Sequence, residues 1–281
     1  MNTSSPTQDQ HVMITGCSTG IGRALAEVFI ERGRPVIATA RRLSSISDIE
    51  GPHCTLLELD VTDSASIDRA VSQAEKAPGG IGTLINNAGW GLMGPVAELK
   101  ENDLRRQFET NVVGPVSLIS RVVPTMVKRG SGMIVNVGSV SGLTATPFAG
   151  AYCASKAAIH SLTDCLRLEL APLGISVVCI QAGAVRSSFG DTASNVLNED
   201  GGSDSLFATH AKAIQDRARA SDLNGMDPRE FAEKVVEQLE RTPPPSIIRL
   251  GPLARKMAIL RLLPVSLRDR FLSKKFGLRQ G

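Results

Sequence analysis

At 281 residues, 42% apolar and 21% charged, the chain has the balance of an ordinary globular protein, and its longest uncharged apolar stretch, residues 175–185, is far shorter than the roughly 20 residues a bilayer-crossing helix needs. Its net charge of +3 is unevenly spread, with eight Lys or Arg and one acid in residues 252–281, and 23 Lys or Arg against 27 acids in residues 1–251. That division excludes a nucleic-acid-binding surface over the body and confines any basic function to the last thirty residues.

Residues 1–10 are polar and hold no Lys or Arg, so no secretory signal is expected and the chain is read as cytoplasmic. A first strand at 11–15 runs into residues 14–22, ITGCSTGIG. Gly16-Cys17-Ser18-Thr19-Gly20 fits G-x-S-x-G, the turn that presents a serine nucleophile. The same glycines, with Gly22, suit a loop that lets a pyrophosphate touch the backbone at a helix N-terminus. A nucleophilic serine needs a histidine and an acid, but His160 falls in an amphipathic helix and His210 in a polar segment without a triad signature. The phosphate cradle is the better reading.

Further strands are expected at 35–39, 55–59, 83–86, 132–137, 175–181 and 246–250, with helices at 20–32, 63–77, 99–129, 151–171 and 228–241 between them. The helix at 99–129 carries an internal Gly114-Pro115 break. Asp63 is placed as an N-cap, Pro228 follows Asp227 as a first-turn proline, and Gly174 stands where a helix stops. Six of the seven strands are rich in Val, Ile and Leu without polar alternation, as expected of strands covered on both faces. The alternation predicts a doubly wound α/β fold: a parallel seven-stranded sheet with helices on both faces, and its ligand site at the carboxyl ends of the strands. Cys17, Cys54, Cys153, Cys165 and Cys179 form no C-x-x-C pair and are read as reduced core residues. His11, His53, His160 and His210 have no ligand spacing, and no metal site is expected.

Three further stretches stand in order after the glycine loop: NNAG at 86–89, NVGSVSG around Ser139, and Tyr152-Cys153-Ala154-Ser155-Lys156. Tyr152 is the only tyrosine, and Lys156 lies one helical turn beyond it. Together these motifs resemble the short-chain dehydrogenase/reductase family over residues 11–187, with its Rossmann fold. The branch resembled includes 17β-hydroxysteroid dehydrogenases, retinol dehydrogenases and acyl-dihydroxyacetone-phosphate reductases.

The resemblance implies that Gly16, Ser18, Thr19, Gly20, Ile21 and Gly22 hold a dinucleotide pyrophosphate, and that Asp60 and Val61 meet the adenine. Asn87, Ala88 and Gly89 would lie under the nicotinamide-side ribose, and Gly183, Val185 and Ser187 near the carboxamide. Two departures weaken that last loop: Ala182 stands for the family's proline and Ser187 for its threonine. Ala40 replaces the acid of NAD-using members and is followed by Arg41 and Arg42, so the expected cofactor is NADP(H), with Arg41 the primary grip on the 2′-phosphate and Arg42 secondary. By the same resemblance Tyr152 is the general acid/base, Ser139 holds the substrate oxygen, Lys156 holds the ribose, and Asn111 uses a helix irregularity to hold a water near the lysine. A phenol with a pKa of about 10 needs lowering to work near neutral pH, and the ammonium of Lys156 is expected to supply that.

Residues 186–224 occupy the position of a substrate lid, and Trp90, Met93, Leu143, Phe148 and Phe189 are candidate pocket linings for a hydrophobic carbonyl or alcohol. Residues 1–251 form the dehydrogenase domain, and 252–281 a basic amphipathic extension interrupted at Pro264. A packed extension is preferred for it over a cap on the cleft, and both over a helix lying on an anionic membrane surface. Helices 99–129 and 151–171 commonly form the subunit contact in the family, so a homodimer or homotetramer is expected. The competing class is a silent NADP(H)-binding sensor or scaffold; the presence of Ser139, Tyr152 and Lys156 favours turnover.

Overall fold

Continuous apolar runs become parallel strands in a computed structural model that describes residues 9–187, 205–221 and 225–278. The strands are β1 (His11–Ile14), β2 (Val36–Ala40), β3 (Cys54–Glu58), β4 (Ile81–Asn86), β5 (Gly132–Ser139), β6 (Ile175–Ala182) and β7 (Ile247–Leu250). They form one sheet in the order β3-β2-β1-β4-β5-β6-β7, and every neighbouring pair is parallel. The order reverses between β1 and β4, where a crevice opens beyond the strand ends. Strands β1, β2, β4, β5 and β6 are buried along their whole length, while the edge strands β3 and β7 are partly exposed.

Successive side chains of a strand point to opposite faces, and the two faces carry two cores. Val12 and Ile14 face one, where α1 (Gly20–Glu31) and α7 (Pro228–Leu239) contribute Leu25, Phe29, Phe231 and Val235. Met13 faces the other, with Ile67 and Val71 of α2 (Ser64–Glu75) and Leu118, Val122 and Met126 of α4 (Gly114–Arg129). The cap expected at Asp63 forms, and Asp227, before the first-turn Pro228, caps α7 as well. Asp63 accepts the N–H of Ala65 at 2.9 Å, and Asp227 those of Arg229 at 2.9 Å and Glu230 at 3.3 Å, each such cap being worth about 1 kcal/mol. Gly174 takes the left-handed conformation, φ +78°.

The stretch expected as one broken helix is α3 (Glu101–Phe108), a π turn at Glu109–Val113, and α4. Pro115 has no N–H to return to the carbonyl of Asn111, which removes the ordinary helical bond at that point. α5 (Gly150–Leu170) follows β5. Within the segment read as a lid, α6 (Ala211–Ala218) is helical; residues 188–204 and 222–224, Phe189 among them, lie outside the described residues.

The C-terminal segment forms α8 (Ala254–Leu262) and α9 (Val265–Phe276), parted at Pro264. Leu260, Leu272 and Phe276 bury themselves against Phe148 and Ile214, while Ile259, Leu262, Val265, Leu267 and Phe271 stay more than half exposed. Among the described residues no helix is long and apolar enough to cross a membrane. All five cysteines are free; Cys17, Cys153 and Cys179 are buried and half-buried Cys54 packs against the core, while Cys165 is exposed, so the core reading fails for Cys165.

Candidate functional site

A cleft of about 890 Å³ opens at the carboxyl ends of the strands. Its floor is fastened by reciprocal bonds between the loops after β1 and β4. Thr15 Oγ1 accepts the N–H groups of Asn87 at 3.0 Å and Ala88 at 2.9 Å; Asn87 Nδ2 donates to the carbonyls of Thr15 at 2.8 Å and Gly16 at 3.1 Å. Asn87 is therefore the clasp of the glycine loop. Gly16 and Gly20 adopt φ +74° and +60°, and a Cβ at either would stand 2.9 Å from Ala88 Cα or 2.7 Å from Ser187 Cβ. At Gly22 it would fall 2.3 Å from the Gly16 carbonyl. Only glycine fits these three places. Ser18, Thr19, Gly20 and Ile21 line the cleft at the start of α1, whose first turn holds no acid, so the positive end of the helix faces open space.

Arg41 and Arg42, both exposed, border the cleft just beyond β2. Ser45 fixes their turn by donating its N–H at 3.0 Å and its hydroxyl at 2.7 Å to the Arg42 carbonyl. Asp60 and Val61 line the cleft beyond β3. Thr62 donates its N–H at 2.9 Å and its hydroxyl at 2.7 Å to one oxygen of Asp60, Oδ1.

Ser139 ends β5, and Tyr152 and Lys156 project from one face of α5. The Tyr152 hydroxyl is hydrogen-bonded to Ser139. Ser139 Oγ accepts the N–H of Ser141 at 3.1 Å, and its own N–H donates to His160 Nε2 at 3.3 Å. Lys156 Nζ donates to the Val137 carbonyl at 2.8 Å and stands 5.9 Å from the centre of the Tyr152 ring. Burial pushes the lysine down to about 8. Burial also pushes the phenol up from its ordinary value, against the opposing Ser139 bond and the positive charge of Arg217. The net direction is therefore opposite to the expected lowering, because burial outweighs the Ser139 bond and the Arg217 charge.

Asn111 sits in the π turn but does not reach the cleft surface. Its Nδ2 donates to the Trp90 carbonyl at 3.0 Å and Ser155 Oγ at 3.1 Å, and its Oδ1 accepts the Trp90 N–H at 3.1 Å. Gly89 lies against it, Asn111 Oδ1 being 3.0 Å from where a Cβ would stand. Gly183, Val185 and Ser187 do line the cleft. Ala182, which stands where the family carries a proline, is paired in β6 with Ser139 and Leu250, and the next N–H, of Gly183, donates to the Leu250 carbonyl at 2.7 Å. Sheet pairing holds the loop that a proline ring would have stiffened.

Of the substrate candidates, Trp90 faces the cleft, with the Arg106 guanidinium 5.5 Å from its ring centre. Met93 and Phe148 do not: they are 2% and 5% exposed, Met93 packing with Ala149, Cys153 and Ala218 behind Tyr152 and Phe148 with Ile214 and Phe276. Leu143 gives its carbonyl to Arg261 at 3.0 Å and is also off the cleft surface. Their apolar character served packing. The wall they were assigned to is built instead by Leu253, Met257, Lys275 and Phe276 of the C-terminal segment, and by Ser141, Thr146 and Arg217. Arg217 donates from Nε to Thr146 Oγ1 at 3.0 Å and from Nη2 to Ser141 Oγ at 3.3 Å. The amphipathic pattern of the tail could have pointed to Met257 and Phe276; a lone arginine in a polar helix gave no signal. Among the described residues, no group of three or more His, Cys, Asp or Glu could hold a metal.

The family model for short chain dehydrogenases matches residues 10–196. Short-chain dehydrogenase PC-15 of Penicillium crustosum is 39% identical over 229 residues, covering 80% of this chain and 82% of that protein. A crystal structure of a short-chain dehydrogenase from Streptomyces avermitilis superposes with a TM-score of 0.80 at 29% identity, covering 99% of this chain and 100% of that one. A short chain dehydrogenase from Burkholderia cenocepacia in complex with NADP is similar with a TM-score of 0.75 at 26% identity over 97% and 99% of the two chains.

Proposed function

The chain belongs to the short-chain dehydrogenase family, and from that membership we propose that it is an NADP(H)-dependent oxidoreductase interconverting a hydrophobic carbonyl compound and its alcohol. The observation that carries this reading is the Tyr152–Ser139 hydrogen bond, with Lys156 on the same helix face, inside the cleft that the glycine loop also lines. When bound, the dinucleotide supplies or removes a hydride at its nicotinamide ring. Everything else falls to side chains and backbone of this protein.

Gly16, Ser18, Thr19, Gly20 and Ile21 receive the pyrophosphate, supported by the missing Cβ atoms and the unopposed positive end of α1. Arg41, seconded by Arg42, grips the 2′-phosphate through paired charge-assisted bonds, and Ala40 brings no carboxylate to repel it. Asp60 has committed Oδ1 to Thr62 and accepts from the adenine amino group on Oδ2, with Val61 at the ring edge. Ala88 and Gly89 underlie the nicotinamide-side ribose, and Gly183, Val185 and Ser187 the carboxamide.

Tyr152 gives a proton to the carbonyl oxygen in reduction and takes it back in oxidation, while Ser139 donates to the same oxygen. Lys156 has three N–H donors, one of them on Val137. The others hold ribose hydroxyls, and the charge so placed favours the phenolate. Asn111 acts through Trp90 and Ser155 as a positioning residue. Trp90, Leu253, Met257 and Phe276 make the substrate wall apolar, and Arg217, Ala218, Ala220 and Ser221 of the segment read as a lid also line the cleft. Exposed Val113, Val116 and Leu168 on and beside α4 and α5 suit a homodimeric or homotetrameric contact.

The test is NADPH consumption with apolar ketones, aldehydes and quinones. Consumption with at least one of them supports the reading. NADPH binding without consumption across the whole panel would make this protein a silent sensor or scaffold.

A further inference from the structure

Arg217 is a cation in the substrate end of the cleft with no carboxylate partner among the described residues. Its two hydrogen-bond partners, Thr146 Oγ1 and Ser141 Oγ, are neutral hydroxyls, and they use two of its five N–H donors. Its position is tied to the reacting centre, since Ser141, which accepts from Nη2, donates its own N–H to Ser139 Oγ at 3.1 Å. The positive charge also bears on the Tyr152 phenol.

The cofactor does not account for this charge. The 2′-phosphate grip lies beyond β2, whereas Thr146 and Ser141 follow β5, and β1 and β4 separate those strands. Three strand spacings amount to roughly 14 Å. The acids of the lining, Asp60 and Glu109, belong to the loop after β3 and to the π turn. Gly114, at the end of that turn, packs on Val61, so both acids stand toward the adenine end. A second cation, Lys275, borders the cleft from α9 and likewise has no acid partner among the described residues. Arg217 is half-buried and Lys275 exposed, so the cleft keeps two cations within reach of an occupant, and an anion there gains charge-assisted bonds that hydroxyls alone do not give.

We propose that Arg217, with Lys275 at the cleft wall, is an anion subsite, and that the substrate is an apolar carbonyl compound carrying a carboxylate near its reacting carbon. The planar guanidinium edge matches the two oxygens of a carboxylate. This rests on the oxidoreductase reading above and adds the substrate class to it. In the step implied, the keto carbon gains a hydride and its oxygen a proton from Tyr152, NADPH leaves as NADP+, and the carboxylate passes through unchanged.

The experiment compares β-ketodecanoate with its methyl ester, using full-length protein and NADPH. The wild type is expected to favour the acid over the ester in kcat/KM by about tenfold or more, the scale of one charge-assisted contact. That ratio falls to near one in Arg217→Gln and is partly kept in Arg217→Lys. Lys275→Gln, an exposed change that leaves folding aside, lowers it in part. In the NADP+-loaded protein, quenching of Trp90 by decanoate is expected to weaken in Arg217→Gln without any turnover being required. An acid-to-ester ratio near one in the wild type, or one unchanged in Arg217→Gln, overturns the subsite while leaving the oxidoreductase reading intact. Absence of NADPH oxidation with both compounds and with the wider carbonyl panel overturns both.

Discussion

The backbone N–H of Ser139 donates to Nε2 of His160 at 3.3 Å, so this ring nitrogen carries a lone pair and the imidazole is neutral. Burial, aided by the charge of Lys156, pushes the ring down from 6.5 to about 4. Between these values the unfolded chain binds the proton that the folded protein refuses. The stabilising contribution of the neutral ring is therefore complete above pH 6.5 and is lost as the pH falls toward 4. At most about 3 kcal/mol is at stake. Urea unfolding of the wild type should weaken across this window by a margin that His160→Gln lacks. Identical pH profiles for the two proteins would remove the argument. The carboxylates held low by arginine partners, such as Asp48 and Asp68, titrate below the window and affect both proteins alike.

Tyr152→Phe keeps the ring that packs beside Met93 and Ala149 and removes only the hydroxyl bonded to Ser139. Turnover should fall by about 10²-fold or more, the usual worth of a positioned acid/base. NADPH affinity should stay within about threefold, because the lost bond is to Ser139 and the cradle is elsewhere. Trp90, the sole tryptophan, lines the same cleft and supplies the binding signal. A variant retaining more than a tenth of wild-type kcat would show that another group moves the proton.

Removing the guanidinium in Arg41→Ala should raise KM for NADPH by about tenfold or more while changing KM for NADH little, since only the former has a phosphate to lose. Arg42→Ala should do the same to a smaller degree. Both side chains are exposed, so folding is not at risk. Equal effects on the two cofactors, or better use of NADH by the wild type, would contradict the assignment.

What could be read before the fold was seen follows the range of the interactions involved. β1, β2, β4, β5 and β6 announce themselves as apolar runs because both their faces are covered, but strand limits blur by one or two residues at buried and edge strands alike, β4 starting two residues earlier and β5 ending two later than expected. The glycine loop and the Tyr152–Lys156 pair are local patterns, with turn geometry at one and a single helical turn at the other. Arg217, Met257 and Phe276 reach the cleft only because Ile214, Leu260 and Phe276 pack onto Phe148, a long-range contact no short motif encodes. Met93 and Phe148 were misplaced for the converse reason: an apolar side chain near a cleft suits its surface and the layer behind it equally well. The phenol's direction of shift was misjudged because it depends on how deeply α5 buries the hydroxyl, which the Tyr152–Lys156 spacing does not encode.

Phe276 joins the C-terminal helix to the substrate wall: it is 8% exposed, its ring centre lies 6.2 Å from that of Phe148, and it borders the cleft. Phe271, one and a half turns earlier on α9, is 54% exposed. Truncating a buried phenylalanine costs roughly 3–5 kcal/mol in a central core, and a value toward the lower end is expected on this terminal helix. Phe276→Ala should therefore lower the unfolding midpoint and raise KM for an apolar ketone severalfold, with KM for NADPH unmoved because the glycine loop and Arg41 are untouched. Phe271→Ala should change stability by no more than about 0.5 kcal/mol. Matching effects from the two substitutions, or a shift in NADPH affinity from Phe276→Ala, would mean that the helix supports the protein generally and does not form the substrate wall.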